Sequence, residues 1–280
     1  MGITFQTPDV RTDVVLMEPE VLRPQGPLTD VFCGASRSEK AFCGEAGLLK
    51  GPAFTAGELQ KIRELLKGHL VKTAHGFSPQ AADAIAGVEL EDYHLVSDRI
   101  DHARLLSKKG RILPKTIVDA MKGMSFFDYL RRTMAPFYLS DEEGVGHEQI
   151  SFRMVRPNRR EDVGSLHRDA WFWDHYGFQR PDGIARGKVW VAVTGEPGLA
   201  GLLLAPGSQN MAAPYHTETV NGKLAFVPEF DVEAIGLQRY CGALGEPIMF
   251  NYNTLHVGSL NKAEKCRVSF ELTIMFKTSS

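Results

Sequence analysis

The residues of this chain best suited to chemistry are two histidines and one aspartate. His167 and Asp169 stand two positions apart in a His-Arg-Asp segment, and His256 follows later in the chain. On a strand, side chains two positions apart point to the same face, so an imidazole and a carboxylate could meet one cation. Two histidines and one carboxylate on one side of a metal, with other positions open, are typical of non-heme Fe(II) oxygenases. The spacing therefore predicts that His167, Asp169 and His256 are metal ligands and catalytic residues.

An arginine follows His256 on a predicted strand. The run from Cys266 to Phe276 alternates and is rich in β-branched residues, which indicates a strand. Arg267 and Ser269 would share a face there, where a guanidinium binds a carboxylate by two hydrogen bonds and a hydroxyl can donate a third. Fe(II), one aspartate and the dianion 2-oxoglutarate sum to minus one, which one buried arginine would neutralise. We therefore predict that Arg267 and Ser269 bind the distal carboxylate of 2-oxoglutarate.

At these residues the chain resembles the phytanoyl-CoA dioxygenase-like family of Fe(II)/2-oxoglutarate oxygenases. The likeness is good over residues 149–276 and poor before them. Gln209 stands where the family has a histidine that is not a metal ligand, so this difference leaves the three ligands untouched. The resemblance implies a double-stranded β-helix, or jelly roll, that uses Fe(II), 2-oxoglutarate and O₂. Besides the residues above, it rests on the segments 150–156, 188–193, 201–209 and 245–256.

Two polar residues before the His-Arg-Asp segment are further candidates. Gln149 and Arg153 would share one face of a strand, so we predict that Gln149 contributes to the co-substrate site and Arg153 to the substrate site. A competing interpretation applies to the arginines of this region. The segment 157–162 has mixed charge and is typical of a hairpin tip, which favours a solvated surface.

The aromatic residues after the His-Arg-Asp segment are candidates for the pocket wall. If a strand at 165–169 ends there, alternate rings point to opposite faces, so one face of the aromatic run would be core and the other pocket. Trp171 and Trp173 are therefore candidate substrate-binding residues.

Other functions for the same residue types are less well supported. His-Arg-Asp also opens the catalytic loop of protein kinases, but that motif requires an asparagine where this chain has Asp174, and no glycine-rich loop is present. His216 and Glu218 repeat the two-residue spacing, yet they follow a polar, turn-prone stretch that favours a surface loop. The remaining histidines lack a partner at ligand spacing and are predicted to be packing or surface residues.

Composition limits the class of protein. The chain has 280 residues, 43% hydrophobic composition and a formal net charge of −2, with no basic block. These values favour a soluble small-molecule enzyme and argue against nucleic acid or an acidic membrane as partner. The four cysteines show no metal-ligand or disulfide spacing, and no apolar run approaches the roughly 18 residues of a membrane span, so we expect a reducing, cytoplasmic location. Oligomeric state is not predicted.

The predicted elements give a mainly β chain with N-terminal helices, arranged as one domain. We expect an irregular arm over 1–52, a helical cover over 53–148 and a jelly-roll core over 149–280. Thr55-Ala-Gly-Glu58 is a capping box, and it predicts the start of the best-marked helix. The predicted helices are 56–73, 97–108, 114–122 and 125–134. The predicted strands are 150–156, 165–169, 188–194, 201–205, 223–227, 247–251, 255–258 and 266–276.

The function predicted from these residues is oxidation, most simply hydroxylation, of a C–H bond in a small molecule, with release of succinate and CO₂. The alternatives are a cupin-like jelly-roll isomerase or hydrolase that does not use 2-oxoglutarate, and a non-catalytic binding module. In the cupin-like enzyme Arg267 and Ser269 would lack a role, and in a binding module the intact set of His167, Asp169, His256, Arg267 and Ser269 is unexpected. The sequence does not identify the substrate, nor does it choose hydroxylation over desaturation or cyclisation.

Overall fold

The structure, a computed structural model, describes residues 47–134, 136–177, 184–220 and 223–277. Its first half is mainly helical, and capping residues mark where the helices begin. At the first helix, Thr55 accepts a hydrogen bond from the Glu58 backbone N–H, and the Glu58 carboxylate accepts one from the Thr55 backbone. The helices are α1 (Ala56–His75), α2 (Pro79–Ala86), α3 (His102–Leu105), α4 (Lys115–Lys122), α5 (Ser125–Thr133) and α6 (Asp169–His175). Short 3₁₀ turns lie at Leu90–Leu95, Ser97–Arg99, Arg160–Asp162, Ser208–Asn210 and Glu233–Ile235.

The strands form two antiparallel sheets and one hairpin. They are β1 (Leu48–Lys50), β2 (Phe137–Leu139), β3 (Ser151–Val155), β4 (Ile184–Thr194), β5 (Leu202–Leu204), β6 (Tyr215–Val220), β7 (Lys223–Pro228), β8 (Gln238–Arg239), β9 (Pro247–Asn251), β10 (His256–Gly258) and β11 (Arg267–Lys277). The larger sheet has six strands in the order β1-β9-β4-β11-β2, and β3 also pairs with β11. The smaller sheet has the order β10-β5-β8, and β6 pairs with β7.

One face of the larger sheet packs against the helices. Phe270 of β11 and Val189 of β4 are fully buried in the same apolar cluster as Ile62 and Leu66 of α1. Burial of such side chains stabilises a fold by about 1.5–3 kcal/mol each, so this layer supplies much of the free energy of folding.

The opposite face of the larger sheet is turned toward the smaller sheet. Trp190 of β4 and Phe250 of β9 form a second buried cluster with Leu202 and Leu204 of β5, which joins the two sheets. On β11 this face is polar, because alternate residues of a strand point to opposite sides. Its residues there are Arg267, Ser269, Glu271 and Thr273, whereas Val268, Phe270, Leu272 and Ile274 belong to the helix-facing core.

The predicted strand at 165–169 is wrong. Within that segment only His167 pairs, in an isolated bridge, and Asp169 is the first residue of α6. A carboxylate in the first turn of a helix is favoured by the helix dipole. The two-residue spacing of His167 and Asp169 fits such a helix start as well as a strand, so it could not tell the two apart.

Other differences from the predicted elements are smaller. The predicted helix at 97–108 is broken into a 3₁₀ turn and α3. His216 lies on β6, paired with β7, and not in a loop, although it is exposed as predicted. Residues 1–46 of the predicted N-terminal arm lie outside the described residues, and the remainder includes β1. Among the described residues, no helix has the length and apolar character needed to cross a membrane.

Candidate active site

The backbone brings the two predicted histidine ligands together. His167 and His256 lie opposite each other in an antiparallel bridge. The His167 N–H donates to the His256 carbonyl at 3.1 Å, and the His256 N–H donates to the His167 carbonyl at 3.0 Å. Their ring centroids are 4.4 Å apart. The smaller sheet fixes His256 further, because His256 begins β10 and pairs with Leu204 of β5. Asp169 joins them at the start of α6.

The three side chains can hold one metal ion. A ligand atom from each lies within 4.8 Å of the others. Nδ1 of His167 is 2.7 Å from the Ser165 carbonyl, and Nδ1 of His256 is 3.0 Å from the Thr254 carbonyl. Since a carbonyl accepts a hydrogen bond, Nδ1 carries the proton and Nε2 keeps the lone pair that a metal needs. Oδ2 of Asp169 is buried and has no hydrogen-bond partner among the described residues.

The electrostatics of the site favour the metal-binding forms of these groups. Burial, reinforced by the His256 imidazole, lowers the pKa of His167 to about 4. His167 is therefore neutral near pH 7, which is the form that binds a metal. Nζ of Lys188 lies 3.6 Å from Oδ1 of Asp169 and 3.8 Å from Oε2 of Glu142. One oxygen of Asp169 thus has a cation beside it, while the other remains available.

Arg267 is buried and keeps side-chain N–H groups that make no hydrogen bond with the described residues. It is 2% exposed, and its Nη1 donates to Ser269 Oγ over 3.3 Å. Among the described residues, its Nε and Nη2 have no hydrogen-bond partner and no carboxylate forms an ion pair with it. Burial, and secondly the nearby charge of Arg153, lower the pKa of Arg267 to about 9. A buried cation with this surplus of donors is suited to a carboxylate ligand.

The strand β10 passes close to this guanidinium. A Cβ on Gly258, the last residue of β10, would lie 3.5 Å from Nη2 of Arg267. The guanidinium therefore lies between β11 and the strand that carries His256. Arg267 is thus close to the strand that carries His256, although it lines a smaller pocket than the cavity at His167 and Asp169.

A cavity of about 690 Å³ opens onto the metal ligands His167 and Asp169. This volume is within the range of small-molecule sites. Its wall combines the larger sheet, the chain before β3, the segment around Arg111 and the first turns of α6. Of the predicted residues, Gln149, Arg153 and Trp173 line it.

The structure gives Gln149 and Arg153 different surroundings. Gln149 is buried, accepts a hydrogen bond from the Glu143 backbone at 3.1 Å and donates to Ser151 Oγ at 2.9 Å, so both ends of its amide are engaged. The side chain of Arg153 makes neither a hydrogen bond nor an ion pair with the described residues, and it lines the cavity.

The two tryptophans point in different directions because they lie on a helix. Trp173 faces the cavity, with the Arg186 guanidinium 3.5 Å from its ring centroid. Trp171 is 3% exposed, stacks on Tyr215 at 4.8 Å and packs in an apolar cluster outside the cavity wall. Phe172 instead reaches the metal ligands, with its ring 5.4 Å from that of His167.

Sequence reasoning missed two charged residues of the cavity wall, the buried Lys188 and the partly buried Glu271. Burial favours the neutral carboxyl, but the charges of Lys188, Arg153 and Arg111 outweigh it and lower the pKa of Glu271 to about 2. Both residues interrupt apolar strands at alternate positions. Charged residues at alternate positions of an apolar strand indicate a polar interior face, so this pattern could have identified them.

Comparisons with known proteins agree with this fold. No protein-family model and no curated protein matches the chain. Among solved structures, the chain is similar to a non-heme monooxygenase, ThoJ in its apo form, with 14% identity, a TM-score of 0.51 and coverage of 84% of this chain and 77% of that one.

A second similar structure is EctD from S. alaskensis, solved with 2-oxoglutarate and 5-hydroxyectoine. The identity is 16% and the TM-score 0.51, over 92% of this chain and 80% of that chain. EctD with bound Fe gives 16% identity and a TM-score of 0.50 over 89% and 82%. At such identities the likeness shows the fold: this chain shares its arrangement of helices and antiparallel sheets with non-heme iron and 2-oxoglutarate oxygenases.

Proposed function

We propose that this chain is an Fe(II)/2-oxoglutarate-dependent dioxygenase, similar to the phytanoyl-CoA dioxygenase-like family, that oxidises a C–H bond of a small molecule. The observation that carries the proposal is the coincidence of two features: three converging candidate ligands, and a buried arginine, without an ion-pair partner among the described residues, next to the strand that carries His256. When bound, iron with 2-oxoglutarate and O₂ supplies the oxidising power, releasing succinate and CO₂. Hydroxylation is the simplest outcome.

The donor set fits iron. His167, His256 and Asp169 offer two imidazole nitrogens and one carboxylate oxygen, the set typical of non-heme Fe(II). Three ligands from the protein leave the remaining positions to the co-substrate and O₂. The Nδ1 hydrogen bonds to backbone carbonyls hold both rings in the ligand tautomer, so the chain fixes the geometry before metal binds.

Arg267 fits the distal carboxylate of 2-oxoglutarate. Its Nε and Nη2 are buried donors without partners, and leaving such donors unsatisfied costs free energy. A carboxylate would satisfy them and neutralise the charge. Ser269 shares the face, and its hydroxyl is already oriented by Arg267 Nη1. Neither a cupin-like isomerase nor a hydrolase gives this pair a role.

We infer that the two sheets form a double-stranded β-helix and that residues 149–280 are its core, covered by the helices of 53–148. The metal ligands then lie at one end of the interior, and the aromatic rings of Phe172 and Trp173 form part of the wall. Their role is to limit the access of water and to hold substrate beside the metal.

The decisive experiment is calorimetric titration of 2-oxoglutarate into the protein loaded with Mn(II) in place of iron. We expect binding that requires the metal and is lost in Arg267→Gln. Arg132→Gln is the matched control, since Arg132 is exposed on α5. Absence of 2-oxoglutarate binding in the Mn(II) protein would reject the proposal and favour the cupin-like alternative.

A further inference from the structure

The cavity contains charged groups that the metal and co-substrate do not require. Arg111 and Arg153 line it, and the side chain of neither makes a hydrogen bond, an ion pair or a ring contact with the described residues. Burial, and secondly Arg153, lower the pKa of Arg111 to about 10, so the two guanidinium groups are close enough to repel each other. Two adjacent cations without partners are costly unless an anion joins them.

One carboxylate of the cavity acts electrostatically on both arginines without forming an ion pair with them. Glu271 lines the same cavity and acts on both guanidinium groups, but it forms no ion pair within 4.0 Å with either. The cavity's other carboxylates are engaged: Glu143 pairs with Lys108 at 2.7 Å, Glu142 and Asp169 share Lys188 at 3.8 and 3.6 Å, and Asp141 accepts hydrogen bonds from two backbone N–H groups. The charged side chains of this wall that make neither a hydrogen bond nor an ion pair with the described residues are therefore Arg111, Arg153 and Glu271, two positive and one negative.

These groups lie beside the metal ligands. Glu271 is close enough to His167 and His256 to act electrostatically on both, and Arg153 similarly acts on Arg267. Arg111 comes from the chain before α4 and reaches the sheet because its carbonyl accepts a hydrogen bond from Phe152 N–H at 2.9 Å. The helical layer thus contributes a cation to the space in which a substrate would sit.

We propose that Arg111 and Arg153 form a binding site for the anionic group of the primary substrate, a small molecule with a carboxylate or phosphate, and that Glu271 accepts hydrogen bonds from an ammonium or hydroxyl group of the same molecule. This inference rests on the proposed oxygenase function. Two guanidinium forks suit an oxyanion, and a carboxylate on the substrate would offset the excess positive charge of the two arginines over Glu271. The co-substrate does not supply this charge, because its distal carboxylate is matched by Arg267.

The first test uses acetate as probe and acetamide as its neutral analogue. Acetate is titrated into the Zn(II) protein, with and without 2-oxoglutarate, while the arginine Nε–H signals are followed by NMR. We expect saturable shifts of two signals, assigned with Arg111→Gln and Arg153→Gln, and none with acetamide; without 2-oxoglutarate, Arg267 should add a third signal. Acetate binding should weaken at least tenfold in Arg111→Gln and stay unchanged in Arg132→Gln. Linear shifts equal to those of the exposed Arg132 would overturn the proposal.

Two further variants guard against misfolding and misassignment. Arg111→Lys keeps the charge and should retain more acetate affinity than Arg111→Gln. Glu271→Gln should bind acetate at least threefold more tightly, because a negative charge that acts on both arginines is gone. The affinity of the Mn(II) protein for 2-oxoglutarate should change less than twofold in Arg111→Gln. An equal loss of 2-oxoglutarate affinity would assign the arginines to the co-substrate and overturn the inference.

The second test addresses the substrate class. Succinate release above the substrate-free background is screened over small acids and their matched primary amides. We expect stimulation by acids only, and at least tenfold less of it in Arg111→Gln than in Arg132→Gln. Equal stimulation of both variants by a neutral compound would contradict the proposal. Failure of the oxygenase function is a separate result, because the acetate titration of the Zn(II) protein needs no 2-oxoglutarate.

Discussion

The two faces of β11 have opposite compositions and opposite tasks. On the helix-facing side, Val268 and Phe270 are fully buried in the main apolar cluster. On the inner side, Arg267 and Ser269 are equally buried, but the arginine has donors without partners. Burial alone therefore does not distinguish the two faces.

The two faces differ in whether the chain itself supplies partners for their side chains. The apolar face is complete within the chain, since its contacts are with other side chains of the core. The polar face is incomplete: Arg267 and Asp169 both keep buried polar atoms without partners among the described residues. Such atoms are unfavourable in a folded protein unless a ligand satisfies them. One strand thus has a stabilising face and a binding face. Substitutions on the first should change the free energy of unfolding, and substitutions on the second should change ligand binding.

The largest expected effect is on metal binding. His256→Ala removes one of three ligands, so affinity for Fe(II) or Mn(II) should fall by more than the about 10–100-fold typical of losing a supporting contact, and turnover should be undetectable. The backbone bridge to His167 involves main-chain atoms only, so the metal-free variant should unfold near the wild-type temperature. Metal titration and thermal unfolding measure the two quantities; wild-type metal affinity would remove His256 from the site.

Phe270→Ala should lower stability and leave the binding of metal and 2-oxoglutarate unchanged. Loss of a fully buried ring should lower the free energy of unfolding by about 3–5 kcal/mol, because a cavity remains in the core. Urea unfolding measures this, and the folded fraction should bind metal and 2-oxoglutarate as the wild type does. Tyr138→Ala is the matched control, since Tyr138 is on the neighbouring strand β2 but 45% exposed. Equal costs for the two changes would contradict the assignment of the apolar face.

Arg267→Lys should weaken 2-oxoglutarate binding by about 1–3 kcal/mol, because an ammonium keeps the charge but loses the planar fork. Calorimetry with the Mn(II) protein measures the change, and Arg132→Lys should have no effect. Metal affinity should be retained. If metal and 2-oxoglutarate binding weaken equally, Arg267 supports the whole site and not the co-substrate.

The smallest effect is expected at the start of α1, on the helical side. Burial opposes ionisation of Glu58, but hydrogen bonds from Ser125 and Thr55 outweigh it and lower its pKa to about 2. Because this folded-state pKa lies below the unfolded value of about 4.3, the stabilisation is complete above that value and is lost as pH falls toward 2.

Glu58→Gln should therefore cost about 1 kcal/mol at neutral pH, the usual value of a helix cap, and nothing near pH 2. Urea unfolding at several pH values checks this. A constant difference across that range would show that the Glu58 charge is not responsible. Binding at the polar face should be unchanged.

The site was predictable from the sequence where residue type alone decides chemistry. His167, Asp169 and His256 do converge, as their types and order predicted, and the capping box at Thr55 placed the start of α1 correctly. The local structure around Asp169 was not predictable, because a two-residue spacing suits both a strand and a helix start.

The rest of the cavity depends on contacts between distant segments. The sequence shows Glu271 as a charged residue within an apolar strand, but it does not show which distant residues lie near it. Arg111 lies in a stretch with no recognisable motif, and it reaches the sheet only because that stretch pairs with Phe152 of β3. No local pattern encodes such a contact, since its free energy arises from the packing of the helical layer on the sheet.

The bridge between His167 and His256 also determines how a metal would affect folding. A cross-link usually stabilises a protein by reducing the entropy of the unfolded chain, more so for longer loops. Here the backbone hydrogen bonds already hold two distant segments side by side, so the entropy of loop closure is lost before any ion arrives. Metal should therefore stabilise the protein only by mass action, with a melting temperature that rises smoothly with free metal concentration. The ion could leave and return without the chain having to refold.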